Sequence, residues 1–148
     1  MSYTIGQMAN MLNVSASTLR YYDKEGLLPF IERSKSGTRI FNDSDYEWLK
    51  IIECFKKTGM QLKDIRHFVL MAMEGDSTIN ERLQLIVNQR KEVISQIEEL
   101  KEKLEMLDFK IWYYETAKKA GTTEVLKDLN LDDIPEQHRD IRRKMQKK

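Results

Sequence analysis

Residues 15–41 combine short hydroxyl side chains with arginine, lysine and tyrosine, which are the side chains that proteins place against base edges and phosphates. The segment holds five basic and three acidic residues, in a chain whose net charge is only +1. Ser17 and Thr18 are short enough to read base edges, and the longer side chains suit the phosphate backbone. The candidate contacts are Ser17, Thr18, Arg20, Tyr21, Arg33, Lys35 and Arg39. The acidic residues, Asp23 among them, are expected to face away from this surface.

Cys54 is the only cysteine, so the chain cannot form an internal disulfide or, by itself, a metal site with several thiolates. It lies in a predicted helix between apolar residues, where an isolated cysteine is often a small buried hydrophobic side chain. Alternatively, the neighbouring Lys56 and Lys57, together with Arg66, would favour a thiolate, which reacts with aldehydes and other electrophiles. The residues leave a packing role and a sensing role open.

Two short helices separated by a three-residue turn are predicted to position the first group of contacts. Thr4 and Gln7 fit a capping box at the start of one helix. Ser15 can cap the next helix, which is predicted to run through Asp23 and to end at Gly26. Such helix pairs are common in helical proteins, and in DNA-binding ones the second helix enters the major groove.

A hairpin and two more helices complete the predicted head, residues 1–75. The runs 27–33 and 38–41 are β-prone and flank a glycine-containing turn, which predicts a small hairpin that carries the remaining basic candidates. A third helix is expected to open at the capping residues 42–45. A fourth is expected from about Leu62 to Met73.

Behind the head, the sequence changes to a heptad pattern in which apolar residues alternate at spacings of four and three. Thr78 and Glu81 fit a capping box, and no proline or glycine interrupts residues 77–120, which predicts a helix of about 63 Å. The seam of this helix consists of Leu83, Ile86, Arg90, Val93, Ile97, Leu100, Leu104, Leu107 and Ile111. An apolar stripe this narrow must be covered by another helix. A second copy of the chain is the simplest candidate, which predicts a homodimer.

The chain therefore divides into a head, a dimerisation helix over residues 76–120 and a short C-terminal segment over residues 121–148. The end of that segment is expected to be frayed and solvated. At the distal end of the long helix, Trp112, Tyr113 and Tyr114 are expected to pack a C-terminal helix against the coil. The alternative is a small aromatic pocket formed with the head of a partner.

Composition favours a mainly α protein, since 41% of the residues are hydrophobic, 33% are charged and only two are proline. No run long enough to span a membrane and no secretory leader are found, so a cytoplasmic protein is expected. An enzyme is not expected, because the sequence lacks a phosphate-binding glycine loop and a nucleophile with an evident base. Neither a metal nor a cofactor is expected. A coiled-coil adaptor that does not bind DNA would explain the long helix but not the head.

The motif LRYYDKEGLL at residues 19–28, followed by GTRIF at 37–41, resembles the MerR family of bacterial transcriptional regulators. The similarity extends from residue 3 to about residue 73 and includes a second wing at 58–65. It implies a winged helix-turn-helix head on a long coiled-coil helix that pairs antiparallel, in a homodimer that binds a palindromic promoter in double-stranded DNA. It also implies that the dimer bends and untwists the promoter spacer so that RNA polymerase can engage both promoter elements.

The same resemblance adds Ser15, Tyr22 and Lys63 to the candidate DNA contacts, although Tyr22 would serve equally well in packing. Phe41 stands where the family often has tyrosine, so any contact by that hydroxyl is absent. One branch of the family, regarded as responding to aldehydes and thiol-reactive electrophiles, carries its single cysteine in the helix of Cys54, which supports the sensing role. A response to a small apolar ligand is the alternative.

Overall fold

The computed structural model describes residues 1–147, which form three short strands and six α-helices. The strands are β1 (Ser2–Tyr3), β2 (Glu32–Arg33) and β3 (Arg39–Asn42). The helices are α1 (Ile5–Leu12), α2 (Ala16–Lys24), α3 (Asp43–Lys57), α4 (Leu62–Glu74), α5 (Ile79–Ala120) and α6 (Glu136–Gln146). Short 3₁₀ turns occupy Asp76–Thr78, Glu124–Leu126 and Leu131–Asp133. The predicted mainly helical fold is confirmed.

The helix-turn-helix is confirmed, and its capping residues explain its geometry. The hydroxyl of Thr4 accepts from the amide of Gln7 at 3.2 Å, and the Gln7 side chain accepts from the amide of Thr4 at 2.9 Å. Asn13 ends α1 in the left-handed backbone conformation, with a φ of 56°, which asparagine tolerates better than most residues. Ser15 then starts α2 by accepting from the amide of Thr18 at 3.0 Å.

The hairpin wing is confirmed, but its sheet contains one strand that the sequence did not predict. β2 and β3 pair antiparallel with Arg33 opposite Arg39, and β1 pairs antiparallel with β3 on its other side. A strand of two residues has no alternating pattern by which it could be recognised. The strand formed by the first β-prone run, β2, is shorter than expected, because Leu27 and Leu28 are buried in the core instead of extending the hairpin.

The structure divides into two compact units, and the first, Met1–Val93, is built around one core. Its fully buried side chains come from all four head helices, from β3 and from the segment after α2, and they are Met8, Leu19, Leu27, Phe41, Leu49, Ile52, Ile65 and Val69. The beginning of α5 belongs to this unit: Leu85 packs against the core, and the side-chain amide of Gln89 donates to the carbonyl of Thr58 at 2.9 Å.

The capping box expected at Thr78 and Glu81 is wrong. The Thr78 hydroxyl lies 2.6 Å from the carbonyl oxygen of Met71 and 2.8 Å from that of Gly75, to which it donates. It accepts from Nε of Arg82 at 3.1 Å. Through these hydrogen bonds the hydroxyl connects the end of α4 to α5. A 3₁₀ turn leads directly into α5, so there is no free helix end for Thr78 to cap.

The second compact unit begins at Ile94 and has its own small core. Phe109 of α5 is buried together with Ile134 and Ile141, and its ring stacks on that of Trp112 with 5.9 Å between centroids. The frayed end expected for the C-terminal segment is therefore wrong, because the apolar side of α6 packs against α5. The expectation that the distal aromatic residues pack a C-terminal helix against the coil is confirmed for Trp112 and Tyr113. It is wrong for Tyr114, which is 61% exposed.

The division of the chain at residues 75 and 120 stays a prediction, since the boundary between the compact units falls inside the continuous helix α5. Within residues 1–147, none of the helices is long and apolar enough to cross a lipid bilayer.

Candidate nucleic-acid interface

Helix α2 buries one face and exposes the other. Leu19 and Tyr22 are 0% and 2% exposed, and they lie three residues apart on the side that faces the core. Ser17, Arg20 and Tyr21 are exposed on the remaining surface. A hydroxyl, a guanidinium and a phenol on one helix match the donors and acceptors that the edges of base pairs and the phosphates present in a major groove.

Ser15 and Thr18 lie at the beginning of that exposed face. Their hydroxyl oxygens are 2.8 Å apart, and Ser15 Oγ also accepts from the amide of Thr18. The Ser15 hydroxyl is thus part of the helix cap, while Thr18 is half-buried. The amino end of a helix carries partial positive charge from its backbone amides, so this edge of the face also favours a phosphate.

Tyr22 is a core residue, and its assignment as a DNA contact is wrong. Its hydroxyl donates to the carboxylate of Glu53 on α3 at 2.6 Å, and Nζ of Lys56 lies 5.3 Å from the centre of its ring. Burial, and then the Glu53 carboxylate, raise the pKa of Tyr22 well above its ordinary value. Tyr22 therefore joins α3 to α2, the second helix of the pair and hence the expected recognition helix.

The two wing arginines, Arg33 and Arg39, share the carboxylate of Asp23, which was predicted to face away from this surface. Oδ2 of Asp23 accepts from Nη2 of Arg33 and from Nε of Arg39, each at 2.7 Å. Arg33 also donates through Nη1 to the carbonyl of Gly37 in the hairpin turn at 2.9 Å. Arg33 is opposite Arg39 in the antiparallel pair. A carboxylate at the end of the recognition helix, followed by two arginines in a hairpin, is the only sequence signal for this cluster.

Two further candidates are exposed lysines. Lys35 lies in the turn of the wing, and Lys63 lies in the first turn of α4. Phe41, where the resemblance suggested a lost hydroxyl contact, is fully buried in the core, so its side chain is not part of the exposed surface of the head.

Cys54 is exposed, so the alternative of a buried packing cysteine is wrong. The next residue, Phe55, lines an open apolar groove of about 260 Å³ between the end of α3 and the beginning of α5. The residues that line the groove are Phe55, Thr58, Met60, Ile86, Gln89, Arg90 and Val93. The groove therefore contains three of the predicted seam residues.

The seam of α5 is exposed in the single chain. Its seven leucine and isoleucine side chains are between 41% and 60% exposed. Distally, Phe109 and the half-buried Trp112 meet α6, whereas Leu107 and Ile111 are 59% and 56% exposed. The seam and the face that α6 covers are thus different faces of α5.

Across the described residues, 1–147, no group of three or more histidine, cysteine or acidic side chains lies close enough together to hold a metal ion. The basic and hydroxyl side chains of the head are not ligands that metals prefer. The chemistry of this surface is that of an anion-binding interface.

Two family models match the chain. The model described as the MerR HTH family regulatory protein matches residues 3–71, and the one described as the MerR DNA-binding region matches residues 46–108. Together these matches include α2, the wing and most of α5.

Two curated relatives and one solved structure illustrate the similarity of this chain to known regulators. An uncharacterized HTH-type transcriptional regulator of Haemophilus influenzae is 48% identical over 136 residues, which are 92% of this chain and 98% of the relative. The regulator AdhR of Bacillus subtilis is 32% identical over 90 residues, or 61% of this chain and 64% of AdhR. The crystal structure of HiNmlR, described as a MerR family regulator lacking the sensor domain and bound to promoter DNA, is 47% identical with a TM-score of 0.65. The similarity covers 84% of this chain and 99% of the HiNmlR chain.

Proposed function

This chain belongs to the MerR family of DNA-binding transcriptional regulators, and from that membership we propose that it binds a palindromic promoter as a homodimer. Each head, with its α2 and its wing, occupies one half-site. The promoter DNA bound by HiNmlR supports this assignment, because that protein is similar to most of this chain. The single observation that carries the homodimer is the exposed seam of α5.

The energetics of the seam favour a second copy. Fully burying a leucine or isoleucine side chain contributes roughly 1.5–3 kcal/mol, and seven such side chains are at least 41% exposed in the single chain. Their burial is enough to offset the loss of translational and rotational freedom on association, which costs about 4–15 kcal/mol. An antiparallel pairing of two α5 helices covers the whole seam on both chains at once, as an isologous interface requires.

The groove beside Phe55 supports the same arrangement. Ile86, Arg90 and Val93 belong both to the groove and to the seam, so the apolar surface of the seam continues onto the head. In an antiparallel dimer the distal part of a partner helix runs toward this end of α5. The second copy therefore holds each head in a fixed orientation.

On DNA, we assign base-edge contacts to Ser17 and Thr18 and backbone contacts to Arg20, Tyr21, Arg33 and Arg39. Ser15 contributes through the amino end of α2, whose amides favour a phosphate. The exposed lysines of the wing and of α4 add charge that contributes to affinity without selecting a sequence. Lys35 and Lys63 therefore affect salt dependence more than specificity.

We propose that the dimer also distorts the promoter, at a cost that its many contacts can offset. Bending a site costs about 1–6 kcal/mol by smooth elastic estimates, and phosphate contacts by two heads and two wings are needed to offset it. The distorted spacer lets RNA polymerase engage both promoter elements. A duplex that carries a fluorophore at each end measures this directly, since the proposal predicts a shorter end-to-end distance in the complex than in free DNA.

Sedimentation of the purified chain, alone and with a palindromic duplex, tests the homodimer. The expected result is a dimer in both samples and two chains per duplex. A monomer at micromolar concentration, with one chain per duplex, would contradict the proposal. A dimer that shows no salt-sensitive, sequence-selective binding to DNA would instead favour a coiled-coil adaptor.

For the signal, we assign electrophile sensing to Cys54. Cys54 has an exposed thiol and directly follows Glu53 in α3, and the Glu53 carboxylate accepts a hydrogen bond from Tyr22 of the recognition helix. With an aldehyde, the Cys54 sulfur bonds to the carbonyl carbon, the carbonyl π electron pair moves to oxygen, and the thiol proton ends on that oxygen. The hemithioacetal formed needs no oxidant or reductant. It changes the surroundings of the Glu53–Tyr22 bond and hence the position of α2.

A promoter-reporter strain exposed to formaldehyde tests this assignment. Cys54→Ser is expected to remove induction, while the purified variant keeps the DNA affinity of the unsubstituted chain. Undiminished induction in the Cys54→Ser strain would contradict thiol sensing.

A response to a small apolar ligand is the second candidate, favoured by the groove of about 260 Å³ beside Phe55. Thr58→Phe places a ring at the edge of this groove and is expected to block such a ligand while leaving the Cys54 thiol in place. Loss of response in Thr58→Phe together with a normal response in Cys54→Ser would favour the ligand over the electrophile.

A further inference from the structure

The cluster of Asp23, Arg33 and Arg39 joins the recognition helix to the wing through one carboxylate oxygen. Both arginines donate to Oδ2 of Asp23 at 2.7 Å. The Asp23 side chain is 17% exposed, whereas those of Arg33 and Arg39 are 49% and 24% exposed. The carboxylate is thus the inner member of the cluster, and part of each guanidinium remains available to a phosphate.

Without the carboxylate, the two arginines would be an unfavourable pair. They are directly opposite each other in the antiparallel β2–β3 hairpin, and like charges at opposite positions of a sheet destabilise the pairing. The Asp23 charge leaves the cluster with a net charge of +1, and it orients two long side chains that would otherwise have many rotamers. A hydrogen bond to a charged acceptor is also stronger than one between neutral groups.

We infer that Asp23 is a positioning residue for sequence-selective DNA binding, which acts by fixing the guanidinium groups of Arg33 and Arg39 relative to α2. Because α2 reads base edges while the wing binds the backbone, the distance between them determines which phosphate the arginines meet when α2 is in register. The carboxylate also weakens binding of phosphates in other positions by its charge. Selectivity thus comes from an acidic residue inside a basic surface.

The inference rests on the proposed backbone role of the wing arginines, and a matched pair of variants separates it from a simple charge effect. Asp23→Asn removes one negative charge and keeps the shape of the side chain. Glu25→Gln removes one negative charge two residues further along, at the exposed C-cap of the same helix, outside the cluster. Both variants are expected to bind a scrambled duplex slightly more tightly than the unsubstituted chain does.

The measurement is fluorescence anisotropy with two duplexes, the selected palindrome and a scrambled sequence of equal length. Asp23→Asn is expected to lower the ratio of the two affinities by about tenfold, the effect of losing one well-placed contact, and Glu25→Gln to leave it within about twofold. In an Arg33→Gln, Arg39→Gln background, Asp23→Asn is expected to have no further effect on the ratio. A reduced fraction of folded protein would lower both affinities equally, so it would not change the ratio.

An unchanged ratio in Asp23→Asn, or an equal fall in the background without the two arginines, would overturn the inference. An Asp23→Asn protein that does not fold, as judged by circular dichroism, would also overturn it in favour of a purely structural role. If the unsubstituted chain does not prefer the palindrome, the proposed function fails instead, and that result is visible before any variant is made.

Discussion

Leucine side chains are buried in the core of the head and exposed along the seam of the long helix. In the head, Leu19 and Leu49 are 0% exposed, because neighbouring helices of the same chain cover them. In α5, Leu100 and Leu104 are 59% and 60% exposed, although the helix is continuous and α6 packs against another of its faces. The difference shows that the head has a complete core of its own, whereas the seam is a surface whose partner must come from outside the chain.

The largest expected effect is a difference in stability between two variants that lose the same three side-chain carbon atoms, one in the head and one in the seam. Leu49→Ala should lower the free energy of unfolding by about 2–5 kcal/mol, since it leaves a cavity in a closed core. Leu100→Ala in protein diluted until it is monomeric should cost less than about 0.5 kcal/mol, as expected for a surface position. Urea unfolding followed by circular dichroism measures both. Equal losses in the two dilute variants would contradict the contrast between core and seam.

A second large effect is expected from charges in the seam. The double variant Leu100→Asp, Leu104→Asp should be monomeric, because four carboxylates would be buried without partners in the dimer. Its affinity for the palindrome should fall at least about a hundredfold, since the second head no longer binds at a high effective concentration. Sedimentation and anisotropy measure the two consequences.

The control for that variant is Lys91→Asp, Ser95→Asp, which introduces two carboxylates at the same spacing. At about 100° per residue, these exposed positions lie on the side of α5 opposite the seam. The control should remain dimeric and keep its affinity. A dimeric Leu100→Asp, Leu104→Asp protein would show that the chains associate elsewhere.

A smaller effect is expected at the recognition helix. Arg20→Ala should weaken binding to the palindrome by about ten- to a hundredfold and lower the slope of log affinity against log salt by about 1, since one phosphate contact is lost. Lys91→Ala removes a basic side chain from α5 and should leave the slope unchanged. The oligomeric state of Arg20→Ala should also be unchanged, because the head does not supply the seam. An unchanged salt slope in Arg20→Ala would contradict its role at the backbone.

The smallest effect is expected from the hydroxyl of Tyr22. Tyr22→Phe should cost about 1 kcal/mol at neutral pH, because the hydrogen bond to Glu53 is lost. The pKa of Tyr22 is raised above its ordinary value of 10.0 in the folded protein, so the folded state holds the phenol proton more tightly than the unfolded chain. This contribution is fully present below pH 10.0 and is lost as the pH rises above it. The difference in unfolding free energy between the two proteins should therefore shrink in alkaline urea titrations, and a constant difference would contradict this assignment.

The helices could be predicted from the sequence because their signals are local. Thr4 with Gln7, and Ser15 with Thr18, form the hydrogen bonds that their spacing indicates. The heptad spacing likewise predicted one continuous helix over most of residues 77–120, which α5 confirms. In each case the pattern and the interaction lie within a few residues of each other.

The features that could not be predicted depend on residues far apart in the chain. The Asp23 carboxylate meets arginines ten and sixteen residues away, and only the folded hairpin brings them together. Thr78 fits a capping box in sequence, but it ends a 3₁₀ turn in which its hydroxyl donates to the carbonyls of Met71 and Gly75 instead. Exposure of Cys54 and burial of Ile141 likewise depend on which face of a helix the rest of the chain covers.

Binding to a palindrome with an altered spacer tests most directly whether the seam holds two heads at a fixed separation. The palindrome is first selected from random duplexes, and about five base pairs, half a turn of DNA, are then inserted at its centre. If the separation is fixed, the dimer loses at least about a hundredfold in affinity, because the two half-sites then face opposite sides of the duplex. Equal affinity for the original and the lengthened palindrome would contradict a fixed separation.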